Sequence, residues 1–225
     1  MKKTIEFLSE LRLNNNREWF EAHKGEYKEA LAEFNAFAEQ MIVAMPSIDP
    51  DLAGLTLRDC TYRIYRDTRF SHDKSPYKTH MGVYFCRGGK KSGYAGYYFH
   101  VEPAGGDFLG NSLLGIGLYC PEPAVLRSMR DEIMDNGANI DDAVKRTGFL
   151  PDTQNKLMRV PKGYPADSPW AEYLKMKDFS FYSPVDESWL LAPGLVDRAV
   201  EMFRPTVEIN KIVNRAVQFA HEEMM

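Results

Sequence analysis

Cysteine is scarce and scattered. The 225-residue chain has three, Cys60, Cys86 and Cys120, an odd number with no C-x-x-C pair. That excludes a disulfide framework and a zinc knuckle. Long apolar runs are missing too. The longest stretch without an acidic or basic side chain is the 14 residues 108–121, glycine-rich and closed by Pro121, against the roughly 18 that a membrane span requires. Met1, Lys2 and Lys3 begin like a signal peptide, but Glu6 and Glu10 interrupt the apolar segment that should come next. Neither export nor a membrane is predicted, and the expected compartment is the reducing cytoplasm. Charge of one sign is not in large excess either: 28 basic against 32 acidic residues leave −4. A globally basic nucleic-acid-binding chain is therefore not indicated.

What is present is ordinary globular material, 44% hydrophobic and 12% aromatic, enough for a core in one domain over residues 1–225. Helices are expected first. Thr4 can cap a short helix carrying Ile5, Phe7, Leu8 and Leu11, and Asn15 with Glu18 has capping-box spacing for a second. Phe20, His23, Tyr27, Leu31, Phe34, Ala38, Met41 and Met45 then recur every three or four positions up to Pro46. Gly25 is a candidate kink, and His23 reads as a satisfied core residue.

The period then changes to two. Residues 60–67, 80–87, 94–102 and 107–120 are dense in Tyr, Phe, Val and Ile, with Gly88-Gly89 and Gly105-Gly106 placed as tight connections. An antiparallel meander is predicted. In the third run Tyr94, Tyr98, His100 and Glu102 share one face, while Ala95, Tyr97, Phe99 and Val101 share the other. Helical spacing returns after Pro121 and is predicted to stop at Gly137, with a short helix over 141–146. Two short strands are expected at 157–160 and 179–182, then a C-terminal helix from Leu195 that Pro205 splits. Helices, sheet, helices make an α+β fold: a central antiparallel sheet packed against N-terminal and C-terminal helices.

Residues 58–91 stand apart in charge. Nine basic residues against three acidic ones give +6, so the remainder carries −10. Like charges repel at short range unless anions sit among them. Arginine's planar fork matches carboxylate or phosphate, and lysine adds a point charge. Arg63, Arg66, Arg69, Lys74 and Lys78 are therefore expected to bind an anionic ligand, with Tyr77 as a hydroxyl donor and Asp67 and Asp73 orienting the cations. The competing reading makes the same residues an ion-pair lattice that only fixes a loop.

His80 and His100 are the nearby proton-transfer candidates. With Glu102 they have a metal-compatible composition, but His-x-Glu is a short pattern, and a hydrogen-bonded structural His100 outweighs a ligand. No metal and no cofactor are assigned. Gly110 to Gly115 is one residue too long for a nucleophile elbow, Gly115 to Cys120 lacks the third small residue of a dinucleotide turn, and Gly88 to Ser92 reads as a hairpin turn rather than a phosphate loop. Aromatics interleave with the basic residues, yet the sequence pI near 5.8 argues against nucleic acid.

Four stretches carry a family resemblance: Asn14-Asn15-Asn16-Arg17-Glu18-Trp19-Phe20; the long run from Arg63 through Arg66-Asp67-Thr68-Arg69-Phe70-Ser71-His72-Asp73-Lys74-Ser75-Pro76-Tyr77-Lys78 to His80; Phe99-His100-Val101-Glu102-Pro103; and Pro161-Lys162-Gly163-Tyr164-Pro165-Ala166-Asp167. On these the chain resembles the DUF2461 family over nearly its whole length, with residues 111–118 longer and more apolar than that family's compact glycine turn. The resemblance implies an α+β fold and supplies no activity to transfer. The leading expectation is a cytoplasmic protein that binds, and could process, a phosphorylated or carboxylated small molecule through a basic loop at the sheet edge. The alternatives are a non-catalytic module docking an acidic protein partner and a metal-dependent hydrolase.

Overall fold

A computed structural model describes residues 1–69, 71–153 and 155–223. Phe70, part of the basic-loop motif, lies outside them. Helices α1 (Lys2–Leu13), α2 (Arg17–Ala22), α3 (Lys24–Ala44) and the single turn α4 (Leu57–Cys60) precede β1 (Met81–Cys86), β2 (Gly96–Val101) and β3 (Leu113–Leu118). Then come α5 (Pro123–Thr147), β4 (Leu150–Pro151), α6 (Ala171–Leu174), β5 (Phe179–Pro184), α7 (Glu187–Leu191), α8 (Leu195–Phe203) and α9 (Val207–Glu223). The sheet order is β1-β2-β3-β5-β4, every pairing antiparallel. The α+β architecture with helices at both ends of the chain is as the sequence predicts.

Alternation along β2 decides what each face does. Tyr97, Phe99 and Val101 are buried. Phe99 packs on Phe37 of α3 at 4.5 Å between ring centroids, and Tyr97 meets Phe203 of α8 edge-on at 5.4 Å. Burying each such ring contributes on the order of 2–3 kcal/mol. The opposite face carries Tyr84, Tyr98 and Tyr182, all half-buried. There Tyr98 lies across Gly82, whose absent Cβ would sit 2.4 Å from the phenol oxygen. Any other residue at 82 would displace that ring.

Several local expectations are corrected. Residues 60–67 are not a strand. A capping box between Thr56 and Asp59 closes Leu57–Cys60 as a helical turn, and the segment after it pairs only through the single bridges Thr61–Val83 and Tyr65–Tyr77. Pro76 accepts from Arg66 N at 3.0 Å but has no N–H to return, so the ladder stops there. Residues 157–160 likewise form no strand: one bridge, Lys156–Met176, is followed by Met158 pointing into solvent. Helix α5 breaks with a kink at Asn136, one residue before the expected stop at Gly137, but helix resumes directly after it rather than over 141–146 alone. Gly137, beside that break, is also a site of close approach, since a Cβ would sit 2.5 Å from the Trp170 ring. The cap of α2 is Asn16, whose side chain accepts from Trp19 N at 2.9 Å. Thr4 lies inside α1 rather than capping it, and its hydroxyl donates to Glu33 of α3. The break before α3 falls at His23 rather than Gly25; the half-buried His23 ring stacks on Trp19 at 4.1 Å. At Pro205 a short 3-10 turn separates α8 from α9, as the proline predicts.

Two asparagines one turn apart on α9 stitch that helix to the start of β2 and the end of β3. Asn210 accepts from Gly117 N at 3.0 Å and donates to Gly96 O at 3.1 Å. Asn214 does the same for both backbone groups of Ala95. Asn210 is 1% exposed, so its removal leaves a buried amide and a buried carbonyl unpaired. We expect Asn210→Ala to cost about 2–4 kcal/mol, from two orphaned groups at ~1–2 kcal/mol each. Urea unfolding should show a lower midpoint at unchanged slope, and a smaller loss for the half-buried Asn214→Ala.

Candidate functional site

Two arrangements come from the predicted residues. The first surrounds the basic loop. Asn15 anchors it: its side chain donates to Tyr77 O at 3.0 Å and accepts from Tyr77 N at 3.2 Å, replacing a strand neighbour. Tyr77 is buried and stacked on Phe20 at 3.9 Å. These contacts set the α1–α2 turn against the loop and leave two adjoining grooves. One, of about 520 Å³, is lined by Asn15, Asn16, Arg17, Thr68, Lys74, Ser75 and Pro76. The other, about 350 Å³, adds Glu21, Tyr65, Arg66 and Tyr77.

The predicted cations divide into three groups. Arg66 pairs with Asp73, and Arg69 grips Asp67 through two bonds at 2.9 and 2.6 Å. Arg66 together with the Ser75 hydroxyl and amide holds the Asp73 carboxyl well below the usual range, and Arg69 does the same for Asp67. The orienting aspartates thus do hold two of the arginines. Lys74 donates to the Thr68 carbonyl at 2.9 Å and, among the described residues, has no carboxylate partner. Lys78 belongs to a separate cluster, its ammonium 5.5 Å from the Tyr62 ring centre, with Lys90 5.7 Å from the same ring. Burial, followed by repulsion from Arg63, lowers the Lys78 pKa. The structure therefore does not bring Arg63 and Lys78 to the grooves that Arg66 and Lys74 line. Arg17 was missed by charge reasoning, which stopped at residue 58. It lines both grooves and makes no ion pair among the described residues. Its signal lay in the Asn14–Phe20 stretch of the family motif, which carried no charge cluster of its own.

The second arrangement lies on the tyrosine face. Period 2 puts Tyr98, His100 and Glu102 in a row, linked by bonds of 2.9 Å (Tyr98 hydroxyl to His100 Nδ1) and 3.1 Å (His100 Nε2 to Glu102). His100 and Glu102 are fully buried because the turn after β2 folds over them. That turn is held by the carboxylate, which accepts from Phe108 N and Leu109 N at 2.8 Å and Gly110 N at 3.1 Å. Burial alone would raise the Glu102 carboxyl. The His100 bond and the amides override it and hold it at about 2. With an ionised acceptor facing Nε2, the proton of a neutral His100 sits on that nitrogen and the Tyr98 hydroxyl donates to Nδ1.

His80, two residues beyond Lys78, stacks on Phe108 at 4.4 Å and lies 4.8 Å from the His100 ring. Burial and the His100 ring pull its pKa down to about 3, so the imidazole is neutral. The two histidines named as proton-transfer candidates are thus neighbours, but both nitrogens of His100 are already engaged.

These features define an α+β protein with a two-faced antiparallel sheet, a cation-lined groove between the α1–α2 turn and the basic loop, and a buried His–carboxylate cluster on its tyrosine face. The chain belongs to the DUF2461 family, described as a conserved hypothetical protein, whose family model matches residues 3–211. No curated protein and no solved structure matches it. No helix of the described residues is long and apolar enough to cross a membrane.

The Glu102 carboxylate gives a local prediction. Glu102→Ala removes charge-assisted bonds to three amides, each on the order of 1.5–3 kcal/mol. Amide exchange at Phe108, Leu109 and Gly110 should rise by tenfold or more, while core amides of β2 such as Phe99 change less. Equal acceleration throughout the sheet would refute a local anchoring role.

Proposed function

We propose that the groove between α2 and the basic loop binds a phosphorylated or carboxylated small molecule in the cytoplasm. One observation carries the reading: Arg17 and Lys74 line the same open, shallow groove, and neither has a carboxylate partner among the described residues. Asn15, Asn16, Thr68 and Ser75 line the same space, their side chains or backbone largely engaged in holding the loop. Arg66, its charge met by Asp73, lines the adjoining groove. Arg69 serves the loop through Asp67, and the buried Tyr77 lines the adjoining groove. The cytoplasmic setting is supported by the three thiols, all free, Cys60 and Cys86 buried and Cys120 exposed.

The test is titration with pyrophosphate and citrate, followed by amide shifts of Arg17, Thr68 and Ser75 and by calorimetry. Saturable binding with shifts at these residues is expected. Arg17→Ala and Lys74→Ala should each weaken it about tenfold or more, the loss of one charge-assisted contact. Arg204→Ala, which removes a cation paired with Glu201 and lining neither groove, should change it less than about threefold. The proposal fails if neither anion shifts these amides at millimolar concentration, or if Arg204→Ala weakens binding as much as Arg17→Ala.

A further inference from the structure

We propose that His80, His100 and Glu102 form a binding site for a divalent transition metal of the zinc class on the tyrosine face of the sheet. One donor atom from each side chain lies within 4.8 Å of the other two. Two imidazoles with one carboxylate make a donor set that suits zinc, and three protein ligands leave a tetrahedral position open for water or an oxygen ligand.

The observation that points to an occupant is His80 Nδ1. It is shielded from solvent and has no hydrogen-bond partner, one of two such side-chain atoms among the described residues. Leaving a polar nitrogen buried and unpaired is unfavourable and calls for a reason. A metal beside it would supply the missing partner. The other two ligands are already fixed in place. Three backbone amides hold the Glu102 carboxylate, and the Tyr98 hydroxyl contacts His100 Nδ1 and sets the ring's rotation. Such outer contacts orient metal ligands in known sites.

Without metal, the His100 Nε2–H points at Glu102. With metal, the same proton sits on Nδ1 and is donated to the Tyr98 oxygen, so the ring changes tautomer and keeps its charge. The cation takes the place of one N–H at the carboxylate. Zinc bonds of about 2.0–2.1 Å in a tetrahedron put ligands about 3.3 Å apart. His80 must therefore close on the other two by up to about 1.5 Å, and it stands in the connecting segment before β1 rather than inside the ladder.

Chelator-stripped full-length protein is titrated with Zn²⁺ by calorimetry and thermal unfolding, and with Co²⁺ by visible absorption. The expected result is 1:1 binding, a Tm that rises with Zn²⁺ concentration, and d–d bands of a nitrogen- and oxygen-ligated Co²⁺. His80→Ala should weaken binding about tenfold or more; His80→Gln, which keeps the side chain's bulk, serves if the alanine variant fails to fold. The double variant His72→Ala/Cys120→Ser, which removes exposed donors elsewhere, should bind like wild type. The proposal is overturned by absence of a Tm shift at millimolar Zn²⁺, by wild-type affinity in the folded His80 variant, or by loss of binding in the double variant. Loss of the anion groove would leave these outcomes unchanged, because the two sites share no ligand residue.

Discussion

Strand β2 has two faces, and only one can lie under the helices. Tyr97, Phe99 and Val101 occupy that side, so every residue between and after them is turned the other way. This parity assembles the Tyr98–His100–Glu102 row and places Gly82 beneath the Tyr98 ring. It also puts an ionised carboxylate at the end of a strand, where it is buried. A buried carboxylate is tolerable only with donors around it. The turn at 108–110 supplies them, and in doing so roofs the histidines.

Five of the nine cations in residues 58–91 fall into three arrangements. Two arginines are held by aspartates inside the same loop, which is a structural use of charge. Lys78 and Lys90 spread their charge over the Tyr62 ring. Lys74, with Arg17 from a different element, lines an open groove. The two readings of the loop, ion-pair lattice and ligand site, therefore apply to different residues within it. The lattice fixes the conformation that gives the groove its edge.

Element types with a strong period were legible in the sequence. The helical stripe through Phe34, Ala38 and Met41 and the alternation at 94–102 each arise from local geometry. Where one residue's role depends on a distant partner, the local signal misleads. Gly137 marks the kink at Asn136 to within a residue, but nothing local shows that it also makes room for Trp170. Asn15 has the spacing of a cap but serves as a surrogate strand for Tyr77. Residues 60–67 have the composition of a strand, yet the proline opposite them cannot donate. The candidate site obeyed the same rule: the cations of the loop were visible as a run, whereas Arg17 was not, because nothing in its own neighbourhood marks it as facing residues 68–76.

By itself the sequence determined the α+β class, the family, the shared face of Tyr98, His100 and Glu102, and the uneven distribution of charge, because these depend on backbone periodicity and on which residues are adjacent along the chain. Only the tertiary structure decided which arginines are neutralised, which lysines face open space, and that one nitrogen of His80 is buried without a partner. Those properties depend on distances of a few ångströms between side chains far apart in sequence, and such distances are set by packing of the whole core rather than by any local pattern.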